Sequence, residues 1–433
     1  MRLAKRCIAF FTILLILCNI DCYAQNKCGG INLSLWKGIS TQPCDTFQTT
    51  YFNLGILSSM NRLKGVSLNI LNCITANNAY GIQVSGLSNI VNGSMSGLQL
   101  SGLTNIARNS ASGVTASGIA NITGNSLNGI GISGLINIIG DDSRALLLSG
   151  FMNITGSNSS GVNIAGVLNL EGGSTGKGIK VAGLANVIGT NQSGIALGGL
   201  MNITGNNVNG MQMASLINIA GGQTNGLQLS GLGNIGVHVR GIQMAGLSNI
   251  AKSLHGGQVG MLNIAKYATE GVQVGLVNYS KSSAKAKFGL VNVTPDTRYQ
   301  LMVFGGNTSK GNVAIRFKNK LFYTILGMGD HYLGLSKKIS ASVFYRTGLG
   351  FEVGRNLFLS GDIGYQHIEN FQNKYVDGIP ARMYALQSRA NVEYHFTNKF
   401  GIFTSGGYSV NKYYNKGGNF SKKPILEFGI ILF

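Results

Sequence analysis

Short runs of alternating apolar and polar residues recur along the middle of the chain. In the copy that begins at Gly81, Ile82 and Val84 are apolar and Gln83 between them is polar, and the copy at Gly97 repeats this order. Because side chains change face at each residue of a strand, the alternation predicts a short strand with one buried, apolar face and Gln on the other. A Ser-Gly or Ala-Gly pair follows, and then a second apolar pair around an Asn. This order indicates a bend and a second short strand.

The Asn of this unit recurs at a nearly fixed spacing. Its positions are 72, 89, 105, 121, 137, 153, 169, 186, 202, 218, 234, 249, 263, 278 and 292. A fixed short period predicts one structural unit stacked many times. Coils of ~16 residues, stacked about 4.8 Å apart, would form a β-solenoid over residues 72–294. The stacked Asn amides are then expected to hydrogen-bond to one another, as in cross-β ladders.

The composition supports a repeat fold. The chain has 433 residues, of which 64 are Gly, only 4 are Pro and 11% are charged. A helical interpretation fails because each Gly destabilises a helix by about 1 kcal/mol. The net charge of +20 favours anionic lipid or glycan as partners of a secreted chain. No basic cluster is interleaved with aromatic residues in the repeat, so no nucleic-acid partner is predicted.

The first 24 residues have the pattern of a secretory signal peptide. Arg2, Lys5 and Arg6 precede an apolar run from Ile8 to Ile20, and small residues follow before Gln25. This order of basic, apolar and small residues is typical of a signal that is cut off. We therefore expect residues 1–24 to be absent from the mature protein.

Residues 25–71 depart from the repeat and are predicted to form an N-terminal cap. A solenoid needs such a cap to cover its open end. The mature chain retains Cys28, Cys44 and Cys73. In an oxidising compartment Cys28 and Cys44 are candidates for a disulfide, which would leave Cys73 buried in the first coil.

After residue 294 the alternation becomes longer. In residues 339–353 one face carries Val343 and Tyr345 and the other carries Ser342 and Arg346. Long strands with one apolar and one polar face are typical of outer-membrane barrels, whose polar face points into the lumen. We therefore predict an antiparallel β-barrel of about eight strands over residues 299–433. Its strands are expected near 299–306, 311–318, 320–328, 339–353, 357–370, 381–396, 400–413 and 423–433.

Charged residues on the polar faces of these strands are expected to neutralise one another inside the barrel. The candidates for this lumen network are Arg346, Glu352, Asp362, Arg389 and Glu393. A barrel of about eight strands leaves little open space, so structural neutralisation is favoured over conduction or binding.

The strand count also predicts sidedness. A barrel with an even number of strands has both of its ends on the periplasmic side, where connections are short, and has long loops outside. The segments 371–380 and 414–422 are long and polar, as outside loops would be. The repeat domain is thus expected in the periplasm, although one miscounted strand would make it surface-exposed.

The repeat has a recognisable sequence motif. The pattern Gly-x-Gln-x-Ser-Gly-Leu-x-Asn, with the contracted forms at 271–278 and 289–292, resembles the surface-repeat proteins of Bacteroidetes and spirochaetes. The resemblance covers roughly residues 81–292. It implies an outer-envelope location and supplies no catalytic residue.

The sequence predicts no enzyme. Between residues 81 and 292 the only acids are Asp141, Asp142, Glu171 and Glu270, too few for an acid/base pair together with a metal site. No catalytic, cofactor-binding or metal-binding residue is predicted, and no cofactor. The leading hypothesis is a cell-envelope protein that displays the solenoid from an outer-membrane barrel, for adhesion or for binding glycans and other polar polymers through the Gln/Ser/Asn stripe. The alternative is a purely structural envelope protein. Outer-membrane lipid is expected as a partner in both cases.

Overall fold

The fold is all-β, as predicted. The computed structural model describes residues 30–42, 48–268, 270–282, 284, 286–319, 321–330, 340–371, 381–414 and 421–433. The expected signal peptide and the Cys28–Cys44 pair lie outside these residues. Across the described ranges the regular elements are β-strands, without an α-helix, and the chain forms two compact units, Met1–Gly241 and Ile242–Phe433.

The first unit begins with β1 (Ile31–Trp36), β2 (Ile39–Ser40), β3 (Thr49–Met60) and β4 (Arg62–Thr75). β2 pairs antiparallel with β1, whereas the other three strands already stack as coils. β3 lies parallel to both β1 and β4, and β4 lies parallel to β5 (Ala79–Ser85) of the first regular repeat. Coil stacking therefore begins before residue 72, inside the segment that the sequence separates as a cap.

Each repeat folds as one coil with a longer strand before the bend and a shorter strand after it. β5 and β6 (Ser88–Val91) lie parallel to β7 (Met95–Ser101) and β8 (Thr104–Ala107), and Gly81 and Asn89 align with their equivalents 16 residues later. The predicted solenoid with coils of ~16 residues is confirmed. The later strands of this unit are β9 (Ala111–Ser117), β10 (Ala120–Thr123), β11 (Leu127–Ser133), β12 (Ile136–Ile139), β13 (Ser143–Ser149), β14 (Met152–Thr155), β15 (Ser159–Ala165), β16 (Leu168–Glu171), β17 (Thr175–Ala182), β18 (Ala185–Ile188), β19 (Gln192–Gly198), β20 (Met201–Thr204), β21 (Val208–Ala214), β22 (Ile217–Ser230) and β23 (Gly233–Val239).

Gly leads most of the repeats because the backbone there stacks closely on the preceding coil, and Ala145 leads one copy. Gly97 has φ +126°, and a Cβ at this residue would lie 2.1 Å from the carbonyl oxygen of Gly81 in the preceding coil. A residue with a side chain would be strained in both respects.

The predicted alignment of the first Asn is wrong. Asn72 aligns with Ser88, and Cys73 occupies the position of Asn89. The Asn72 side-chain oxygen accepts hydrogen bonds from the Ser88 amide at 3.2 Å and from its hydroxyl at 2.8 Å. The spacing from residue 72 to residue 89 is one longer than the repeat, and this extra residue moves Asn72 out of the column.

The second unit starts with shorter coils of the same kind. Gln243 aligns with Gln258, and Asn249 aligns with Asn263. The strands of these coils are β24 (Ile242–Ala245), β25 (Ser248–Leu254), β26 (Gly257–Val259), β27 (Leu262–Tyr267), β28 (Val272–Val274), β29 (Val277–Ser280), β30 (Ala286–Phe288) and β31 (Val291–Val293).

An eight-stranded antiparallel barrel completes this unit, as predicted. It closes where Leu301 pairs with Leu432. Its strands begin and end within two residues of the predicted positions. They are β32 (Arg298–Gly306), β33 (Asn312–Asn319), β34 (Phe322–Gly329), β35 (Ser340–Glu352), β36 (Leu357–Asn370), β37 (Arg382–Thr397), β38 (Phe400–Tyr413) and β39 (Ser421–Leu432).

Both ends of the barrel chain lie at one edge, which we name the short-turn edge. The start of β32 and the end of β39 lie there, together with the connections β33–β34, β35–β36 and β37–β38. The other edge carries the connections between β32 and β33, β34 and β35, β36 and β37, and β38 and β39. The predicted long loops there fall largely outside the described residues.

Candidate functional site

A column of stacked Asn side chains runs inside each unit. In the first unit each Asn Nδ2 donates to the Oδ1 of the Asn in the next coil, at 2.8 to 3.0 Å from Asn89 through Asn234. The same Nδ2 also donates to a backbone carbonyl of the next coil, for example from Asn89 to Leu100 at 2.7 Å. The second unit repeats the column from Asn249 to Asn292. The structural role predicted for Asn is confirmed.

At the first end of the Asn column, the Oδ1 of Asn89 accepts its hydrogen bond from a residue other than Asn. Cys73 has no amide to donate, and the hydroxyl of Ser85 instead donates to Asn89 Oδ1 at 2.6 Å. Cys73 itself is fully buried, and this burial raises the pKa of its thiol.

The Gln side chains also point into the coils, and the predicted outward Gln stripe is therefore wrong. Gln83, Gln99, Gln212 and Gln228 are buried in the first unit, as are Gln243, Gln258 and Gln273 in the second. Successive side chains bond to each other along this column, at 3.2 Å from Gln99 to Gln83 and 2.8 Å from Gln228 to Gln212. Alternation fixes which residues share a face, but hydropathy assigned the amides to the wrong face. Inside the coils each amide finds a partner one coil away, so its burial leaves few polar atoms unpaired.

The apolar residues that flank Gln are correspondingly displaced outward. Ile82 is 39% exposed, although the alternation predicted it in the core. A second outward row follows the bend and contains Leu87, Leu103, Ile119, Leu135, Phe151, Leu184, Leu200, Leu216 and Leu232, all exposed. The apolar core lies between the amide columns, where smaller residues such as Ala107 and Ala111 pack with Met95 and Leu127.

Between Gln99 and Gln212 the column positions hold residues other than Gln, and one of these is part of a buried ion pair. Lys180 takes the column position and its Nζ lies 2.8 Å from Glu171 Oε1, with both side chains almost fully buried. Asn163 donates to Glu171 at 3.0 Å, and Lys180 donates to Ser159 at 2.7 Å. Burial lowers the pKa of Lys180, and the adjacent Glu171 carboxylate opposes this shift.

The remaining acids of the repeat do not gather into a site. Asp141 and Asp142 lie in an exposed turn, where Asp142 Oδ1 accepts from the Asn158 amide at 3.0 Å. Glu270 is also exposed. Across the described ranges, no group of three or more His, Cys, Asp or Glu side chains is placed to hold a metal ion.

The barrel lumen is filled by ion pairs. Arg346 donates to both carboxylate oxygens of Glu427, at 2.8 and 3.0 Å. Arg389 donates to the same Glu427 at 3.2 Å and lies 3.7 Å from Asp362. Arg316, which the sequence did not single out, makes a bidentate pair with Glu393.

Four of the five predicted lumen residues belong to this network, and Glu352 does not. Glu352 is exposed at the short-turn edge, in a concavity with Asp296, Arg298 and Lys318. The alternation along β35 correctly predicts that Glu352 belongs to the inward-facing residues. Because Glu352 is the last residue of that strand, however, it lies beyond the filled lumen. Arg316 and Glu427 also belong to the network but were not predicted. They face inward on β33 and β39, which are only eight and twelve residues long.

The lumen also contains aromatic packing. Phe304 makes edge-to-face contacts with Phe344 and Phe403, with ring centroids 5.8 and 5.6 Å apart. The Arg346 guanidinium lies 4.8 and 4.6 Å from the centroids of Phe304 and Phe344. The lumen is therefore occupied by aromatic rings as well as by ion pairs.

The outer wall of the barrel has the opposite polarity. Residues such as Ile315, Ile363, Leu386 and Phe428 alternate with the buried ion pairs along the same strands and are 49 to 65% exposed. Aromatic residues lie on this wall toward both edges. Pairs in contact are Tyr299 with Phe317, Tyr394 with Phe396 and Phe396 with Phe400 toward the short-turn edge, and Tyr365 with Tyr384 and Tyr384 with Tyr414 toward the other edge.

The last coil of the second unit packs against this outer wall. Tyr345 Oη donates to the Gly289 carbonyl at 3.0 Å, and Thr324 Oγ1 donates to the Leu290 carbonyl at 3.1 Å. Thr324 occupies an outward-facing position on β34 but is fully buried. Phe288 also meets Phe322 edge to face, with centroids 6.0 Å apart.

These bonds cap the solenoid. In earlier coils the carbonyl of the residue after the bend accepts from the next coil, as Leu276 does from the Val291 amide at 2.9 Å. Leu290 belongs to the last coil and has no following coil, so the Thr324 hydroxyl takes the place of that donor. The repeat pattern does not predict this contact. It joins two residues that are 34 positions apart in sequence, one in the last coil and one in the barrel.

Comparisons of the chain with protein-family models, with characterised proteins and with solved structures found no match. Within the described residues, no helix is long and apolar enough to cross a membrane.

Proposed function

We propose that the chain is an envelope protein of the bacterial outer membrane, anchored by its barrel and built for a structural role. The observation that carries the proposal is the polarity of the barrel, with ion pairs inside and exposed apolar side chains outside. Buried Arg346 and exposed Ile363 illustrate this contrast on neighbouring strands. An apolar outer band with aromatic residues toward both edges is the surface that lipid requires. The filled lumen supports an anchor over a channel.

The buried amide columns support the structural role. Gln and Asn side chains that bond to each other inside the coils are not free to meet a sugar, so the stripe on which a glycan-binding role depended is internal. The proposal includes no reaction. Glu171, the one buried acid of the repeat, is engaged by Lys180, Asn163 and Thr175.

Adhesion, or binding of a polar polymer, remains the second candidate, and one observation favours it. A row of polar side chains is exposed along the turns between coils. Asn158 bonds to Asp142 at 3.2 Å, and the half-buried Ser174 contacts the exposed Thr190 at 2.7 Å. Binding of the full-length protein to a glycan array, and loss of that binding in Asn158→Ala, would favour this candidate over the purely structural one.

The membrane anchor is tested by placing a charge on the outer wall. Ile363 is 65% exposed near the middle of β36, whereas Val353 is 60% exposed in the turn at the short-turn edge. An Arg facing lipid at mid-depth costs about 2–4 kcal/mol, and near the interface about 0–1 kcal/mol. We expect Ile363→Arg to reduce the yield of heat-modifiable barrel in liposomes, and the matched variant Val353→Arg to fold normally. Equal yields of the two variants would contradict the anchor.

A further inference from the structure

The coils of the second unit present an apolar edge beside the barrel wall. Leu247, Met261 and Leu276 follow the bends of successive coils and are 50, 50 and 44% exposed. The next residue in this row, Leu290, lies against the wall with Leu326 and Tyr345. The row therefore continues outward from the same surface that faces lipid in the proposed anchor.

Apolar side chains also cover both faces that meet at this edge. On one face they are Met244, Val259, Val274 and Phe288, and on the other they are Ile250, Ile264 and Tyr279. Most of these side chains are exposed, while the polar Gln and Asn columns point inward. A contiguous apolar surface of this kind marks a site of contact with protein or membrane.

Lysines line the far end of one face. Lys252, Lys266 and Lys281 occupy equivalent positions in three successive coils and are all exposed. Like charges stacked about 4.8 Å apart repel one another. A partner that supplies anions beside an apolar layer would relieve this repulsion, and the headgroup region of a bilayer has that chemistry.

The dimensions of the coil match one leaflet. Leu247 and Lys252 are five residues apart, which is about 16 Å at about 3.3 Å per residue. Half of a hydrocarbon core of ~30 Å is about 15 Å.

The contacts between the last coil and the barrel also place the bend near the middle of the membrane. The bend carbonyl of Gly289 bonds to Tyr345 near the middle of β35, and Asn292, farther toward the Lys end, bonds through its carbonyl to Asn319 at the short-turn edge, at 2.9 Å. The bend thus lies at mid-wall, and the lysines lie on the side of the short-turn edge.

We propose that the edge of coils 242–293 is inserted into the leaflet on the short-turn side of the membrane that the barrel spans, with Lys252, Lys266 and Lys281 at anionic headgroups. The inference rests on the proposed membrane anchor. In this placement the coils of the second unit lie in the bilayer interface against the barrel and do not project freely from it.

Tryptophan quenching in liposomes tests this placement on the full-length protein. In a Trp36→Phe background, Met261→Trp reports on the bend, Tyr267→Trp on the Lys end and Leu426→Trp on the outer wall of the barrel. Lipid brominated deep in its acyl chains is expected to quench Met261→Trp about as strongly as Leu426→Trp. Aqueous iodide is expected to quench Tyr267→Trp but neither of the other two.

The outcomes separate the two proposals. If Leu426→Trp is quenched by brominated lipid and Met261→Trp is quenched by iodide, the anchor stands and the inserted edge is overturned. If Met261→Trp is quenched by neither agent, protein covers the edge, for example a second copy of the chain, and the inference again fails. If Leu426→Trp escapes brominated lipid, the anchor fails and the inserted edge fails with it.

The lysine contribution is tested by charge reversal. Changing Lys252, Lys266 and Lys281 to Glu is expected to lower the bromolipid quenching of Met261→Trp at least twofold in vesicles that contain phosphatidylglycerol. The matched triple variant Lys37→Glu, Lys64→Glu and Lys177→Glu changes net charge equally at scattered, exposed positions and is expected to leave quenching unchanged. Equal effects of the two triple variants would overturn the assignment of headgroup contacts to this column.

Discussion

Arg346 and Glu427 lie 81 residues apart in sequence and form two hydrogen bonds across the barrel lumen, at 2.8 and 3.0 Å. Glu427 also accepts from Arg389, so one carboxylate balances two guanidinium groups. We expect Glu427→Gln to destabilise the barrel by about 3–5 kcal/mol, because it leaves buried cations uncompensated. Urea titration of the folded barrel measures this change. The control is Glu369→Gln, since Glu369 pairs with a largely exposed Arg382 and should contribute about 0–1 kcal/mol. Similar losses in both variants would contradict a stabilising lumen network.

Replacement of one Asn in the column should weaken the solenoid. Asn153 accepts from Asn137 at 2.9 Å and donates to Asn169 and to the Ile164 carbonyl, each at 3.0 Å. Asn153→Leu leaves these buried partners unsatisfied and should lower the free energy of unfolding by about 1–3 kcal/mol. The exposed Asn128 provides the control Asn128→Leu. Thermal melts that are identical for the parent and for Asn153→Leu would argue against a stabilising column.

Removal of a whole coil should be tolerated better than removal of half a coil. Gly129 aligns with Ala145 in the next coil, so deletion of residues 129–144 joins two segments that already share one register. Deletion of residues 129–136 would instead place a bend against a strand. We expect circular dichroism melts to show a cooperative transition for the first deletion and loss of folding for the second. Equal loss in both would be inconsistent with interchangeable coils.

The Cys73 thiol should react slowly in the folded protein. Burial raises its pKa, and the thiolate is the reactive form, so at pH 8 alkylation by iodoacetamide should be at least about tenfold slower than for an exposed thiol. Asn128→Cys supplies that reference in the same chain, and peptide mass analysis separates the two sites. In guanidinium chloride the two rates should converge. Fast labelling of Cys73 without denaturant would show that the first coil opens.

Periodicity in the sequence was sufficient to predict the coils and the barrel strands. The spacing of Gly81 and Gly97 reflects the stacking directly, because a side chain at Gly97 would collide with the Gly81 carbonyl in the coil before it. The faces of the barrel strands were also predictable, since Arg346 and Arg389 alternate with apolar residues along the same strands. In the coils and in the barrel strands alike, the sequence pattern repeats with the same period as the structural unit that requires it.

What the sequence concealed was which face of the coil is inside. Gln83 between Ile82 and Val84 has the pattern of an outward polar residue, because hydropathy treats each side chain alone and omits its bond to the same residue one coil away. Contacts between the coil and the barrel were hidden for a related reason. Thr324 is an ordinary outward strand residue until the Leu290 carbonyl is placed beside it.

The buried pair of Glu171 and Lys180 has a consequence for the order of events in folding. Its members are nine residues apart, on β16 and β17, and a turn of three residues joins these strands. A carboxylate or an ammonium group buried without its partner is strongly unfavourable. We therefore expect these two strands to leave water together rather than one after the other.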